Sequence, residues 1–178
     1  MTNRLKIVIA ILLVVLSVAF RLMPHPANFA PVAAVAAVAA IYLGRRWAIT
    51  VPLLAMFISD CLIGFYQPTI MLAVYGAFVL IGLGNSFSKQ KNPASIFSRS
   101  LLGSVFFFLV TNWAVWQFGL WYQPGLSGLL QSYLMAVPFF RNTLLGDLTF
   151  MFGFVGVFEL VNLLSGFKKE KVLLGEII

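Results

Sequence analysis

Charge is the first thing this chain lacks. Asp, Glu, Lys and Arg make up 10% of its 178 residues, against about a quarter in an ordinary soluble domain. That leaves too little polar surface to face water on every side, and a water-soluble globule is excluded. Cysteine and histidine are nearly absent too, with one of each, Cys61 and His25. A lone cysteine forms no intrachain disulfide, and together the pair supplies too few ligands for a metal cage. Cys61 therefore reads as a small packing residue. There is no G-x-x-x-x-G-K-[ST] phosphate loop and no H-E-x-x-H pair, so nucleotide hydrolysis and zinc-peptidase chemistry have no motif here. Nothing calls for a cofactor or a metal. Residues 88–98 are the one extended polar segment, so 1–178 reads as a single integral membrane domain.

What is present is apolar. Hydrophobic residues make up 61% of the chain, and the solvent for most of it is lipid. The formal net charge of +7 raises nucleic acid as a partner. The basic residues, however, sit in short groups between apolar runs rather than on a polar face, which suits membrane loops and anionic lipid headgroups instead. Nucleic-acid binding is excluded on that ground.

The apolar runs predict an all-α membrane protein with six transmembrane helices, at about 5–20, 29–43, 47–65, 69–87, 96–118 and 142–165. A further stretch, 126–140, is broken by Gln131, Ser132 and Pro138 and is expected to be a short re-entrant or interfacial helix. Arg4 and Lys6, Arg45 and Arg46, Lys89, Lys91 and Arg99, and Lys168, Lys169 and Lys171 then fall on one side. Only Arg21 and Arg141 fall on the other. The positive-inside rule makes the richer side cytoplasmic, with both termini inside a bacterial inner (plasma) membrane. The first helix also imitates a signal peptide, with Arg4 and Lys6, an apolar run and Ser17-Val18-Ala19. Its removal would leave the other crossings unchanged.

With that parity, the polar residues converge on the outer side. A polar group at membrane depth is costly unless it meets a cavity or a partner. Asp60 and Asp147 lie about one turn from the outer helix ends, with Asn112 in the outer half of its helix. Arg141, Asn142 and Thr143 open the last predicted helix, and His25 and Asn28 lie in a proline-stiffened outer loop. Thr143 and Asp147 share a helix face. Arg141 at a helix start favours a bound carboxylate, phosphate or carbonyl. Asn112 and Trp116, four apart, suit a flat heteroaromatic ligand. The same residues also admit a purely structural account, in which Arg141 or Arg21 pairs with Asp60 or Asp147, and Asn112 and Trp116 serve packing and interfacial anchoring. Glu159, deep in the inner half of the last helix, can meet Arg45, Arg46 or a partner. Small residues at spacing four (Ala33/Ala37, Ala36/Ala40) allow close helix approach, within this chain or to another subunit.

The run Arg21-Leu22-Met23-Pro24-His25-Pro26-Ala27-Asn28-Phe29-Ala30-Pro31-Val32-Ala33, with Tyr42-Leu43-Gly44-Arg45-Arg46, Ser59-Asp60, Thr111-Asn112 and residues 138–147, resembles an uncharacterised bacterial membrane family. That family is in turn similar to the substrate-binding S components of energy-coupling factor (ECF) transporters. The resemblance implies a six-helix protein that captures a vitamin-sized small molecule from outside. It also implies a transmembrane coupling subunit and cytoplasmic ATPases as partners, with Ala33, Ala37 and Ala40 as the docking candidates. The expected substrate-binding residues are His25, Asn28, Asp60, Asn112, Trp116, Arg141, Asn142, Thr143 and Asp147. The rival readings are an intramembrane enzyme using Asp60 and Asp147 as an acid–base pair, and a channel or structural membrane subunit.

Overall fold

A computed structural model describes residues 2–88 and 90–175, with side chains as far as residue 164. Lys89 and the side chains of Lys168, Lys169 and Lys171, counted above among the cytoplasmic charges, lie outside the described residues. Those described form six helices and no strand: α1 (Asn3–Leu22), α2 (Val32–Leu43), α3 (Arg45–Ile63), α4 (Pro68–Asn85), α5 (Pro93–Phe118) and α6 (Leu126–Gly175). All but α2 are long and apolar enough to cross a membrane. The protein is an integral membrane protein.

The helix boundaries follow local chemistry. Asn92 caps α5, its Oδ1 accepting the Ser95 amide at 2.8 Å, and Pro93 occupies the first helical position, where no donor is missed. Pro68 opens α4 in the same way. The last five residues of α2, Ala39–Leu43, widen into a π-helical turn closed by the Gly44 amide on the Ala39 carbonyl at 2.8 Å. Gly44 then takes φ +107°, which lets α3 begin at the very next residue.

Three expectations about the helices are corrected here. The second predicted span, 29–43, is a helix of only 12 residues, Val32–Leu43. At 1.5 Å per residue it measures about 18 Å, well short of a hydrocarbon layer of about 30 Å. It survives at that length because it touches little lipid. Val35, Ala36, Val38 and Ala39 are fully buried, and α2 packs mainly against α3, α4 and α6 at the centre of the bundle. The second correction concerns 126–140. No separate re-entrant or interfacial helix exists, because these residues continue into the last predicted span as one unbroken α6, with Pro138 inside it. Proline removes one intrahelical bond, and packing can hold such a helix together. Here Tyr133 donates to the Leu109 carbonyl at 3.0 Å, and the Phe108 ring packs at a tilt against both Tyr133 and Phe140.

The alanine stripe is corrected in the same stroke. Ala33, Ala37 and Ala40 are 8%, 6% and 2% exposed, so their small size serves close packing inside this chain rather than an outer docking surface. The exposed apolar residues are on other helices, such as Val8, Ile11, Leu12 and Val15 of α1, and Cys61 of α3, expected as a buried packing residue, is exposed as well.

Candidate functional site

Because α2 stops short, the space above it in the bundle is not filled by helix. Residues 23–31 dip down to its start, and a cavity of about 370 Å³ opens between this loop, α1, α3, α4, α5 and α6. Gln67 in the α3–α4 turn donates to the Phe118 carbonyl at the end of α5 at 2.5 Å, which marks the rim of the bundle. Counting down α5 from that point, Phe107 is about 16 Å and Ser104 about 21 Å below the rim. Phe107 stacks on Phe78 of α4, with ring centres 4.9 Å apart, to form an aromatic wall. Ser104 donates to Asp147 Oδ2 at 2.6 Å, so the cavity floor carries a carboxylate near the middle of the bundle. Asp147 is 4% exposed.

Nearer the rim, Arg21 at the end of α1 reaches across to α3. Its Nη2 meets Asp60 Oδ1 at 2.5 Å, and its Nη1 points at the Met56 sulfur. Asp60 takes a second bond from the Tyr75 hydroxyl on α4 at 2.8 Å. Buried charge is tolerable when paired and hydrogen-bonded on every side. Arg21 thus presents its guanidinium to the cavity with its charge already balanced. Tyr66, in the turn between α3 and α4, lines the same cavity. Burial, together with the negative charge of Asp60, pushes its hydroxyl up to about 12, with Arg21 opposing. The raised value keeps it protonated, and able to donate, across the physiological range.

The loop is pinned in place. The Asn142 amide donates to the Ala27 carbonyl at 3.0 Å, and Asn28 adopts φ +65°, a left-handed conformation that asparagine tolerates better than most. Gly146 lets the loop settle against α6, since a Cβ there would stand 3.3 Å from Phe29 Cα. His25 Nδ1 lies 2.6 Å from the Met23 carbonyl. A carbonyl can only accept, so Nδ1 carries the proton and Nε2 of the neutral ring is left as an acceptor.

The expected site residues divide into three groups. His25, Asn28, Thr143 and Asp147 line the cavity. Asp60 and Asn142 support it from behind, one through Arg21 and the other through the loop. Asn112, Trp116 and Arg141 lie outside its lining. Asn112 bonds its own helix at the Phe108 carbonyl and faces a smaller side pocket of about 200 Å³. The Trp116 indole donates to the Gln123 carbonyl in the α5–α6 connection. Arg141 is exposed. It lies fifteen residues into α6, so no free N–H groups accompany it, and the expected anion site at a helix start does not exist. Glu159 pairs with Lys91 at 2.7 Å and Tyr42 at 2.6 Å rather than with Arg45 or Arg46.

Residues 1–170 match a protein family described as a family of unknown function, DUF6580. The chain belongs to that family. Neither curated proteins nor solved structures give a match. Several residues that build the DUF6580 chain's cavity carried no signal of their own. Ser104, Phe78, Phe107 and Tyr66 sit in apolar runs or turns where serine and aromatics are unremarkable. From sequence, Arg21 reads only as one possible ion-pair partner of Asp60 or Asp147. Beneath Asp147 the bundle narrows to a void of about 10 Å³, no more than one water can occupy. Asn85 and Arg99 line that void together with Asp147, and they also line a cleft of about 380 Å³ beyond it, between α4 and α5. Asn85 Oδ1 and Arg99 Nη1 are buried there without a hydrogen-bond partner among the described residues.

Proposed function

We propose that this protein is the substrate-binding component of an ECF-type importer, taking up a vitamin-sized molecule from the outer side of the bacterial inner membrane. The observation that carries the reading is the cavity left by the shortened central helix. Its volume of about 370 Å³ falls in the usual range for small-molecule sites, and polar groups converge on aromatic walls within it. It opens at one end of the bundle and closes to a single-water void below Asp147, as an outward-facing binding state requires.

Charge supports the orientation. Arg4, Lys6, Arg45, Arg46 and Lys91 cluster at the helix ends opposite the cavity, and the positive-inside rule puts that end in the cytoplasm. The cavity then faces out. Energy for release would come from a coupling subunit and cytoplasmic ATPases, which must dock on a surface other than the buried alanines of α2.

Thermal unfolding of the detergent-purified protein against a panel of vitamin-sized compounds tests the reading. One compound is expected to raise the midpoint saturably and unchanged by the protein. Val74→Trp, which fills the cavity from α4, should abolish the response. Turnover of the compound would favour an intramembrane enzyme instead. Absence of any Val74-sensitive binding would refute the importer reading.

A further inference from the structure

Asp60 behind the cavity wall and Asp147 on its floor stand against one lining guanidinium, Arg21, and this balance bears on the charge of the ligand. Arg21 is spoken for, since Asp60 neutralises it at 2.5 Å. Asp147 has no such direct partner among the described residues, Arg99 standing only across the single-water void beneath it. Its one described hydrogen bond is with the neutral Ser104 hydroxyl at 2.6 Å, whose single proton the Ser100 carbonyl at 2.8 Å also competes for, and the ion pairs among the described residues are Arg21–Asp60 and Lys91–Glu159. As an anion, a carboxylate that is 4% exposed on the floor of an open cavity, with no cation in ion-pair contact, is incomplete.

The neighbouring groups have the same sense. Thr143 spends its hydroxyl proton on the Phe139 carbonyl at 3.0 Å, which leaves lone pairs for the cavity. His25 donates from Nδ1 to the Met23 carbonyl, which leaves Nε2 as an acceptor whenever the ring is neutral. The stacked pair Phe78 and Phe107 offers aromatic surface, whose faces attract cations. Three acceptors and a π wall surround a volume whose one lining guanidinium is already neutralised, with the Tyr66 hydroxyl and the Asn28 amide as its neutral donors.

Resting on the binding-site reading above, we infer that the cavity selects a positively charged organic ligand, a protonated amine, an amidinium or a quaternary heteroaromatic cation, with Asp147 as its counter-ion. A bare metal ion fits poorly, because the described residues contain no cluster of three His, Cys, Asp or Glu side chains. This choice reverses the anion preference that Arg141 suggested from sequence.

Charged thiol reagents test the inference without a known substrate. In a Cys61→Ser background, Thr143→Cys places a thiol one helical turn from Asp147, and Met23→Cys serves as an exposed control on the loop. Each variant is treated at pH 8 with the trimethylammonium-ethyl and the sulfonatoethyl methanethiosulfonate, and the rate ratio is taken. The ratio cancels any difference in thiolate fraction. At position 143 the cation-to-anion ratio should exceed that at position 23 by about tenfold or more, in the range of electrostatic focusing in clefts. Asp147→Asn should bring it back to the control value. Equal ratios at the two positions, or a ratio that ignores Asp147→Asn, overturn the cation preference and leave the cavity standing. If neither reagent reaches position 143 while position 23 reacts, the open cavity itself is refuted. If Asp147→Asn does not fold, the comparison of positions 143 and 23 in the otherwise native protein decides.

Discussion

Arg21 and Asp60 are 39 residues apart and meet at 2.5 Å across the rim of the cavity, locking the end of α1 to α3. Asp60 is 2% exposed at its side chain and Arg21 17%. Leaving one member of such a pair alone strands a buried charge, which costs about 3–5 kcal/mol. Asp60→Leu and Arg21→Met should each lower the thermal midpoint sharply, and the double variant should recover most of the loss. By contrast Glu159→Gln, which breaks the half-exposed pair with Lys91, should cost less than about 1 kcal/mol. Additive losses for Asp60 and Arg21 would mean that the two side chains do not act together.

Ser104 is the one described donor to Asp147. Ser104→Ala should destabilise the protein by about 1–3 kcal/mol, because a buried acceptor loses its bond. Asp147→Asn keeps an acceptor oxygen for the hydroxyl and should cost less. A midpoint unchanged by Ser104→Ala would show that Asp147 finds its partner elsewhere.

The α2 alanines are predicted to be intolerant of bulk. Ala37→Leu adds three carbons where 6% of the residue is exposed, and overpacking of this kind costs about 1–3 kcal/mol. Leu72→Ala on the lipid face of α4, where the side chain is 75% exposed, should have little effect. If Ala37→Leu left stability intact, the stripe would have to face outward after all.

Two glycines of α4 should respond in opposite directions. A Cβ at Gly82 would overlap the Ala48 backbone carbonyl of α3, which cannot swing aside as a side chain would. At Gly76 a Cβ meets nothing within 4 Å. Gly82→Ala should therefore lower the melting midpoint, while Gly76→Ala should raise it, the gain in helix propensity being about 1 kcal/mol. Equal effects would mean that α3 and α4 are not in close backbone contact.

Much of the fold was legible from composition and hydropathy. Five spans follow from lipid as solvent, and the convergence of His25, Asn28, Thr143 and Asp147 on one end of the bundle follows from the alternation of the helices. Two features escaped for physical reasons. Hydropathy measures apolarity, not helix length, and Phe29, Ala30 and Pro31 are as apolar as the helix they precede, so the short α2 looked full-length. Pro138 signalled a break because proline removes a bond locally, yet packing against Phe108 and Leu109 lies far away in sequence. The misplaced Arg141 follows directly from that second error. Once α6 begins at Leu126, Arg141 is an ordinary exposed residue in mid-helix.

Ligand carriage by the cavity is tested most directly by mass spectrometry of small molecules released from protein purified out of native membranes. One cationic compound should be enriched with the unaltered protein and absent from Asp147→Asn and Val74→Trp preparations of equal purity. Identical small-molecule content in all three would contradict the account.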